Sequence, residues 1–251
     1  MIEVVGLNKD FDERRVLTDV NFTFEQGKTN LVIGRSGSGK TVLLKTMVGL
    51  FTPTEGKVLY DGRDFHAMPE KERKLLRKEI GMVFQGGALF DSQTVLQNVM
   101  FPLDMFSDMT KKEKIDRAKF CLARVNLPSA DDLYPAQISG GMKKRVAIAR
   151  AIALNPQYLF FDEPNSGLDP QTSIVIDDLI SEITHEYNIV TVVNTHDMNS
   201  VMGMGEKIIF IYEGKKWWEG DSQSIVKSDN QELNDFVFAS DLFKKFRASL
   251  R

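Results

Sequence analysis

Residues 34–41, Gly34-Arg35-Ser36-Gly37-Ser38-Gly39-Lys40-Thr41, follow the spacing G-x-x-x-x-G-K-[ST]. Each residue type has a chemical reason. Glycines let the backbone wrap closely round a phosphate and turn its N–H groups inward. The helix expected next adds the positive end of its dipole. Lys40 can reach the β- and γ-phosphates of a nucleotide, and the Thr41 hydroxyl can ligate Mg²⁺. The bare pattern arises by chance in roughly one chain in a hundred of average composition, so its flanks decide. The apolar strand Leu31-Val32-Ile33 precedes it and the helical stretch Val42 to Leu50 follows, which makes this a nucleotide site. A second constellation, Tyr158-Leu159-Phe160-Phe161-Asp162-Glu163, is an apolar strand ending in two carboxylates. Beside a phosphate loop, Asp162 would help hold Mg²⁺ and Glu163 would act on the attacking water as general base. Alone, such an ending is more often a strand meeting solvent; the pairing with the loop reverses that.

The elements that must position these groups alternate. Ile2 to Val5 and Val20 to Phe24 alternate apolar and polar residues, as a half-buried antiparallel sheet does. Asp91 to Gln137 reads as a mostly helical insertion, with a helix from Lys111 to Val125, and a further helix is expected over Lys143 to Ala153. Strand and helix then return: Tyr158 to Phe161, a helix from Gln171 to Tyr187, and Ile189 to Asn194. This order predicts an α/β core with a largely parallel sheet. One domain is expected over 1–251, with core segments 1–90 and 151–235, a helical subdomain over about 91–150 and a helical tail over about 232–251.

Bulk composition excludes several classes. A hydrophobic content of 42% and a charged content of 27% are those of a folded chain. A formal net charge of −3 gives no electrostatic pull toward nucleic acid. The lone Cys121 can form neither an internal disulfide nor a metal cluster and is expected to be a small buried hydrophobe. The first residues show no secretion signal, and no apolar run approaches the ~20 residues that span a bilayer.

Downstream of the insertion, Ile138-Ser139-Gly140-Gly141-Met142 precedes a helix, a second potential anion site. With Gly49-Leu50-x-x-Pro53-x-x-Gly56, Gln85, Ser166-Gly167-Leu168-Asp169-Pro170 and Thr195-His196-Asp197, all in order, the chain closely resembles the ABC ATPases over almost its whole length. The resemblance implies a RecA-like P-loop core with an N-terminal antiparallel β subdomain and an inserted helical subdomain. It implies ATP and Mg²⁺, and hydrolysis as the activity. Phe11 would stack on adenine, and Gln85 would contact Mg²⁺ and water and sense the membrane partner. His196 would contact the γ-phosphate and place the water. Two copies would pair head to tail, so that Ser139, Gly140 and Gly141 of one close over ATP held by the other, with Asp169 at that contact. A separate multi-span permease would anchor the pair to the cytoplasmic face of the inner membrane, with no nucleic acid among its partners. His66 and His185 match nothing and are expected on the surface.

Met142 replaces the usual glutamine of this motif, but backbone N–H groups need no particular side chain there, so activity is expected. The same Met, with Val83-Phe84-Gln85-Gly86-Gly87-Ala88-Leu89-Phe90-Asp91-Ser92, Val95 and Asn98-Val99, resembles the Mla-type ATPases of phospholipid trafficking. These work with a permease and an Mce-domain lipid-binding protein. Phe84, Leu89 and Phe90 would help line a groove for a permease helix. Other transport substrates, such as an amino acid or a lipoprotein, and a cell-division complex stay open as alternatives. An ATPase of DNA or ribosomes fits less well, because the interval from Lys40 to Ser139 leaves no room for a coiled coil and the chain holds one such domain. Phe236, Ala239, Phe243, Phe246 and Leu250 recur at helical spacing, with Lys244, Lys245, Arg247 and Arg251 elsewhere round the helix. Trp217 and Trp218 are expected in a hairpin near the core.

Overall fold

The computed structural model describes residues 1–239 and Phe243. The long hairpin β1 (Ile2–Phe11) and β2 (Arg14–Phe24) joins β4 (Glu55–Tyr60) and β5 (Arg63–Asp64) in an antiparallel sheet of order β2-β1-β4-β5. Its alternation buries Ile2, Val4, Phe22 and Phe24 on one face, as expected for a sheet with one wet side.

The second sheet runs β10-β9-β3-β8-β7-β6. β3 (Thr29–Ile33), β6 (Ile80–Val83), β7 (Tyr158–Asp162), β8 (Val190–Thr195) and β9 (Lys207–Tyr212) are parallel, and β10 (Lys215–Gly220) turns back along β9. Every residue of β3, β7 and β8 is buried, because both faces of this sheet are covered. Successive side chains enter different cores. Val32, Phe160 and Val192 meet the antiparallel sheet, while Leu31, Ile33, Leu159, Phe161 and Val193 face the other way.

That other side carries α3 (Val95–Phe106), α4 (Lys111–Arg124) and α5 (Gly140–Ala151). Thr94 with Gln97 and Thr110 with Glu113 make reciprocal caps that start α3 and α4. α5 begins at Gly140 rather than at the expected Lys143, since the Ser139 hydroxyl accepts the Met142 N–H and fixes the start. Cys121 is fully buried within this helical layer. The remaining helices are α1 (Lys40–Met47), α2 (Glu70–Lys78), α6 (Pro170–Glu186), α7 (Met198–Met204), α8 (Ser222–Lys227) and α9 (Gln231–Val237).

α9 ends at Val237, so Ala239 lies beyond it, and the expected continuous stripe is broken there. Phe236 stacks on Phe210 and Phe243 packs against the core; Lys244, Lys245, Phe246, Arg247, Leu250 and Arg251 lie outside the described residues. Trp217 and Trp218 sit in the β9–β10 hairpin, with Trp218 against the core. His185 is exposed beside Glu206. His66, expected at the surface, is half-buried with its ring bonded to the Thr46 carbonyl at 3.0 Å, and burial lowers its pKa. Among the described residues no helix is long and apolar enough to cross a membrane.

Candidate active site

Parallel strands end at a common edge, and loops leaving that edge are where such sheets hold ligands. Here the ends of β3, β7 and β8 bring three loops together around one cleft. Arg35, Ser36, Gly37, Gly39, Lys40 and Thr41 line it with Gln85, Glu163 and His196.

The loop from β3 to α1 is shaped for close backbone approach. Gly34 has φ 152°, and a Cβ there would lie 2.3 Å from the Ile211 carbonyl oxygen, so only glycine fits. Lys40 is buried, and its ammonium donates to the carbonyls of Gly34 (2.8 Å) and Arg35 (3.2 Å) while standing 4.0 Å from Glu163 Oε1. Burial lowers its pKa, and the charges of Glu163 and Asp162 oppose that shift. A triphosphate would give this ammonium stronger, charge-assisted acceptors than its own loop provides.

Asp162 closes β7. It accepts from the Thr41 hydroxyl at 3.1 Å and from Asn194 Nδ2 at 3.1 Å, both on one carboxylate oxygen. Thr41, Gln85 and Asp162 supply hard oxygen donors of the kind Mg²⁺ takes, with substrate phosphates completing its shell. Asn194 Oδ1, buried without a hydrogen-bond partner among the described residues, is a further unsatisfied oxygen on the residue that bonds Asp162, while Ser38, whose Oγ is likewise unpartnered there, lines a neighbouring pocket with Arg14 and Glu213. The donor set therefore fits Mg²⁺.

Glu163 is held in a left-handed conformation, φ 52°, rare for a residue with a side chain. Its N–H donates to the Asn194 carbonyl at 3.0 Å and its own carbonyl accepts from Ser166 N–H at 3.2 Å. The carboxylate meets His196 Nδ1 at 2.8 Å, with the imidazole 65% exposed toward the cleft. A carboxylate fixed in this way can take a proton from water, while the histidine orients it. Gln85 follows β6, is exposed, and reaches the Ser166 hydroxyl through Nε2 at 3.3 Å.

Behind Glu163 lies a buried polar knot. Asn165 Nδ2 donates to Asp177 of α6 at 2.7 Å and to the Ser200 hydroxyl of α7 at 2.9 Å. Burial raises the Asp177 carboxyl to about 6 despite bonds from Ser200 and Asn165, and Asp197 and Asp178 push in the same direction as burial. The knot ties the loop after Glu163 to the helix after His196. No local motif in the sequence marks either the knot or Asn194 as part of the site.

Other expected site residues lie elsewhere. Phe11 closes β1, 37% exposed, edge-on to Phe51 at 5.2 Å and with Lys9 over its ring; it does not line the cleft, whereas Val16 does. Ser139, Gly140 and Gly141 also lie off the cleft, at the start of α5. A Cβ on Gly141 would fall 2.6 Å from Thr172 Cγ2 of α6, a packing reason for that glycine. Asp169 caps α6, accepting from the N–H groups of Gln171 and Thr172 at 3.0 Å and from the Thr172 hydroxyl, bonds that hold its pKa low. Phe84 and Phe90 line a separate groove of about 490 Å³ with Phe101, Phe106 and Arg150, while Leu89 packs on the core.

The family model described as ABC transporter matches residues 17–166. Methionine import ATP-binding protein MetN 2 of Enterococcus faecalis is 38% identical over 237 residues, covering 93% of this chain and 68% of that protein. The probable ribonucleotide transport ATP-binding protein mkl of Mycobacterium bovis is 34% identical, covering 94% of this chain and 66% of its own length. The dimeric post-hydrolysis ATP-binding cassette MJ0796 with ADP and Pi superposes with a TM-score of 0.80 at 33% identity, covering 88% of this chain and 99% of the cassette.

Proposed function

The chain belongs to the ABC transporter family as an ATP-binding subunit, and we propose that it drives phospholipid between membranes through a separate permease. ATP hydrolysis coupled to transport is the activity of this family, with ATP and Mg²⁺ as its ligands. The observation that carries the residue assignment is the convergence of Lys40, Thr41, Gln85, Glu163 and His196 on one cleft, with Asp162 bonded to Thr41.

In this reading Lys40 and the amides of residues 34–39 hold the phosphates, and Thr41, Asp162 and Gln85 hold Mg²⁺, which neutralises phosphate charge when bound. Glu163 accepts the proton of the attacking water, with His196 fixing its carboxylate and facing the γ-phosphate. Phe11 is the aromatic on which adenine stacks. Ser139, Gly140 and Gly141 act across the pair, on ATP held by the second copy, with Asp169 at that contact. That sharing accounts for their distance from the cleft of their own chain.

The lipid assignment is supported by the Val83 to Ser92 segment and Met142, and it carries a permease and an Mce-domain protein as partners at the cytoplasmic face of the inner membrane. The apolar groove of Phe84 and Phe90 suits an entering permease helix. Amino-acid import is the second reading, favoured by the relatives named for methionine import.

Two measurements test these assignments. Glu163→Gln in the complex isolated with its permease should keep ATP binding and lose hydrolysis by a factor on the order of 10² or more; wild-type turnover would remove Glu163 as the base. Complexes captured in that ATP-bound state should contain an Mce-domain protein and phospholipid. Recovery of an amino-acid-binding protein, with methionine rather than lipid stimulating the ATPase, transfers the chain to the second reading.

A further inference from the structure

α5 carries a lysine on its buried side. Lys144 is 7% exposed, lies one turn from the Ser139-Gly140-Gly141 start of the helix, and points toward the catalytic edge rather than into solvent. Its ammonium donates to the Gln85 carbonyl in a short bond and approaches the Glu163 carbonyl at 3.5 Å. Among the described residues, no carboxylate lies within ion-pair distance of it. Burial lowers its pKa and the nearby charge of Glu163 opposes that shift.

A buried charge held only by backbone carbonyls is expensive, and an apolar side chain would fill the same space at lower cost. The location of those carbonyls supplies the reason for retaining it. They belong to the two residues that bracket the reacting phosphate in the functional reading above. Glu163 also sits at φ 52°, a conformation that persists only where its surroundings hold the peptide from several sides. Asn194 holds its N–H, and Ser166 and Lys144 hold its carbonyl.

We propose that Lys144 is a positioning residue for ATP hydrolysis: its ammonium clamps the backbones of Gln85 and Glu163 together and fastens both to the helix that starts at Ser139-Gly140-Gly141. Docking of a second copy on the start of α5 then bears directly on both residues. This rests on the assignment of Glu163 as base.

The test uses the complex isolated with its permease, assayed for MgATP hydrolysis with Lys144→Met, Lys144→Gln and Glu163→Gln side by side. Lys144→Met should lower kcat about tenfold or more, since small misplacements of catalytic groups cost that much, with KM for ATP within about twofold of wild type. Lys144→Gln, whose amide can still donate to both carbonyls, should recover most of the turnover. Three outcomes overturn the proposal: wild-type kcat in K144M; a loss in K144M carried by KM for ATP rather than by kcat; or a loss of kcat that K144Q leaves unrepaired. An active E163Q removes the base assignment and this proposal with it. An inactive E163Q beside a fully active K144M removes this proposal alone.

Discussion

Replacing Asp177 by asparagine isolates the cost of the buried knot behind the loop that follows Glu163. The carboxyl titrates at about 6 rather than at its ordinary 3.8, with burial as the main cause. Because the native pKa lies above the unfolded one, the folded chain still binds a proton where the unfolded chain has released it. Stability therefore falls as pH rises from about 4 to about 6 and then levels off, with a full cost of about 3 kcal/mol. In Asp177→Asn the new amide would keep an acceptor for Asn165 Nδ2 and carry no charge, so the variant escapes this loss. Any hydrogen bond damaged by the substitution costs the same at every pH, which makes the difference between two pH values the informative quantity. Relative to wild type, Asp177→Asn should gain about 1.4 kcal/mol more at pH 7.5 than at pH 5.0. Urea unfolding of the nucleotide-free chain measures this directly, and nucleotide must be absent because a ligand bound to the folded state adds its own stabilisation. A stability difference that is flat in pH, or larger at pH 5.0, would show that Asp177 is not a buried, destabilising charge.

The two glycines that open α5 should separate packing from catalysis. Gly141→Ala should destabilise the chain by about 1–3 kcal/mol in urea unfolding, because its new methyl meets Thr172 at 2.6 Å. Gly140→Ala meets only Leu168 at 3.7 Å, so it should leave stability within about 1 kcal/mol of wild type while lowering hydrolysis in the paired, permease-bound state. Cys121 should resist a thiol reagent at neutral pH in the native chain and react on denaturation, since burial pushes its thiol up to about 11 and covers the sulfur. Mass spectrometry before and after urea reads this.

The nucleotide loop is legible in the sequence because its chemistry is written in consecutive residues with a strand before and a helix after. The same holds for Asp162 and Glu163, which end an apolar run. Lys144 is of another kind: it meets Gln85 across 59 residues and Glu163 across 19, and no local pattern encodes either meeting. One signal is available. Gly141, Lys144 and Ile148 lie on the buried stripe of α5, and a lysine within such a stripe needs a partner. α5 starts three residues before the expected Lys143 for a similar reason. Its first turn is two glycines, poor in helix propensity, and the Ser139 cap decides the boundary. His66 departs from the expected exposure because nothing beside it in sequence reveals that the Thr46 carbonyl takes its ring.

Local structure also separates what one chain can complete from what it leaves open. Asp169 is fully engaged in capping α6, and Gly141 is required by Thr172, so each has a reason within its own chain. Ser139 caps α5 through the Met142 N–H, and that leaves the first amides of the helix, at Gly140 and Gly141, with no preceding turn to accept from them. Gly140 has no packing reason to lack a side chain. Amides at the positive end of a helix that meet no acceptor among the described residues are suited to an anion that arrives from outside. The cleft of the same chain holds Lys40 and Glu163 but none of these residues. In the proposed reading these are two complementary halves of a phosphate site on separate surfaces, and a head-to-tail pair would let each half meet its complement on the other copy.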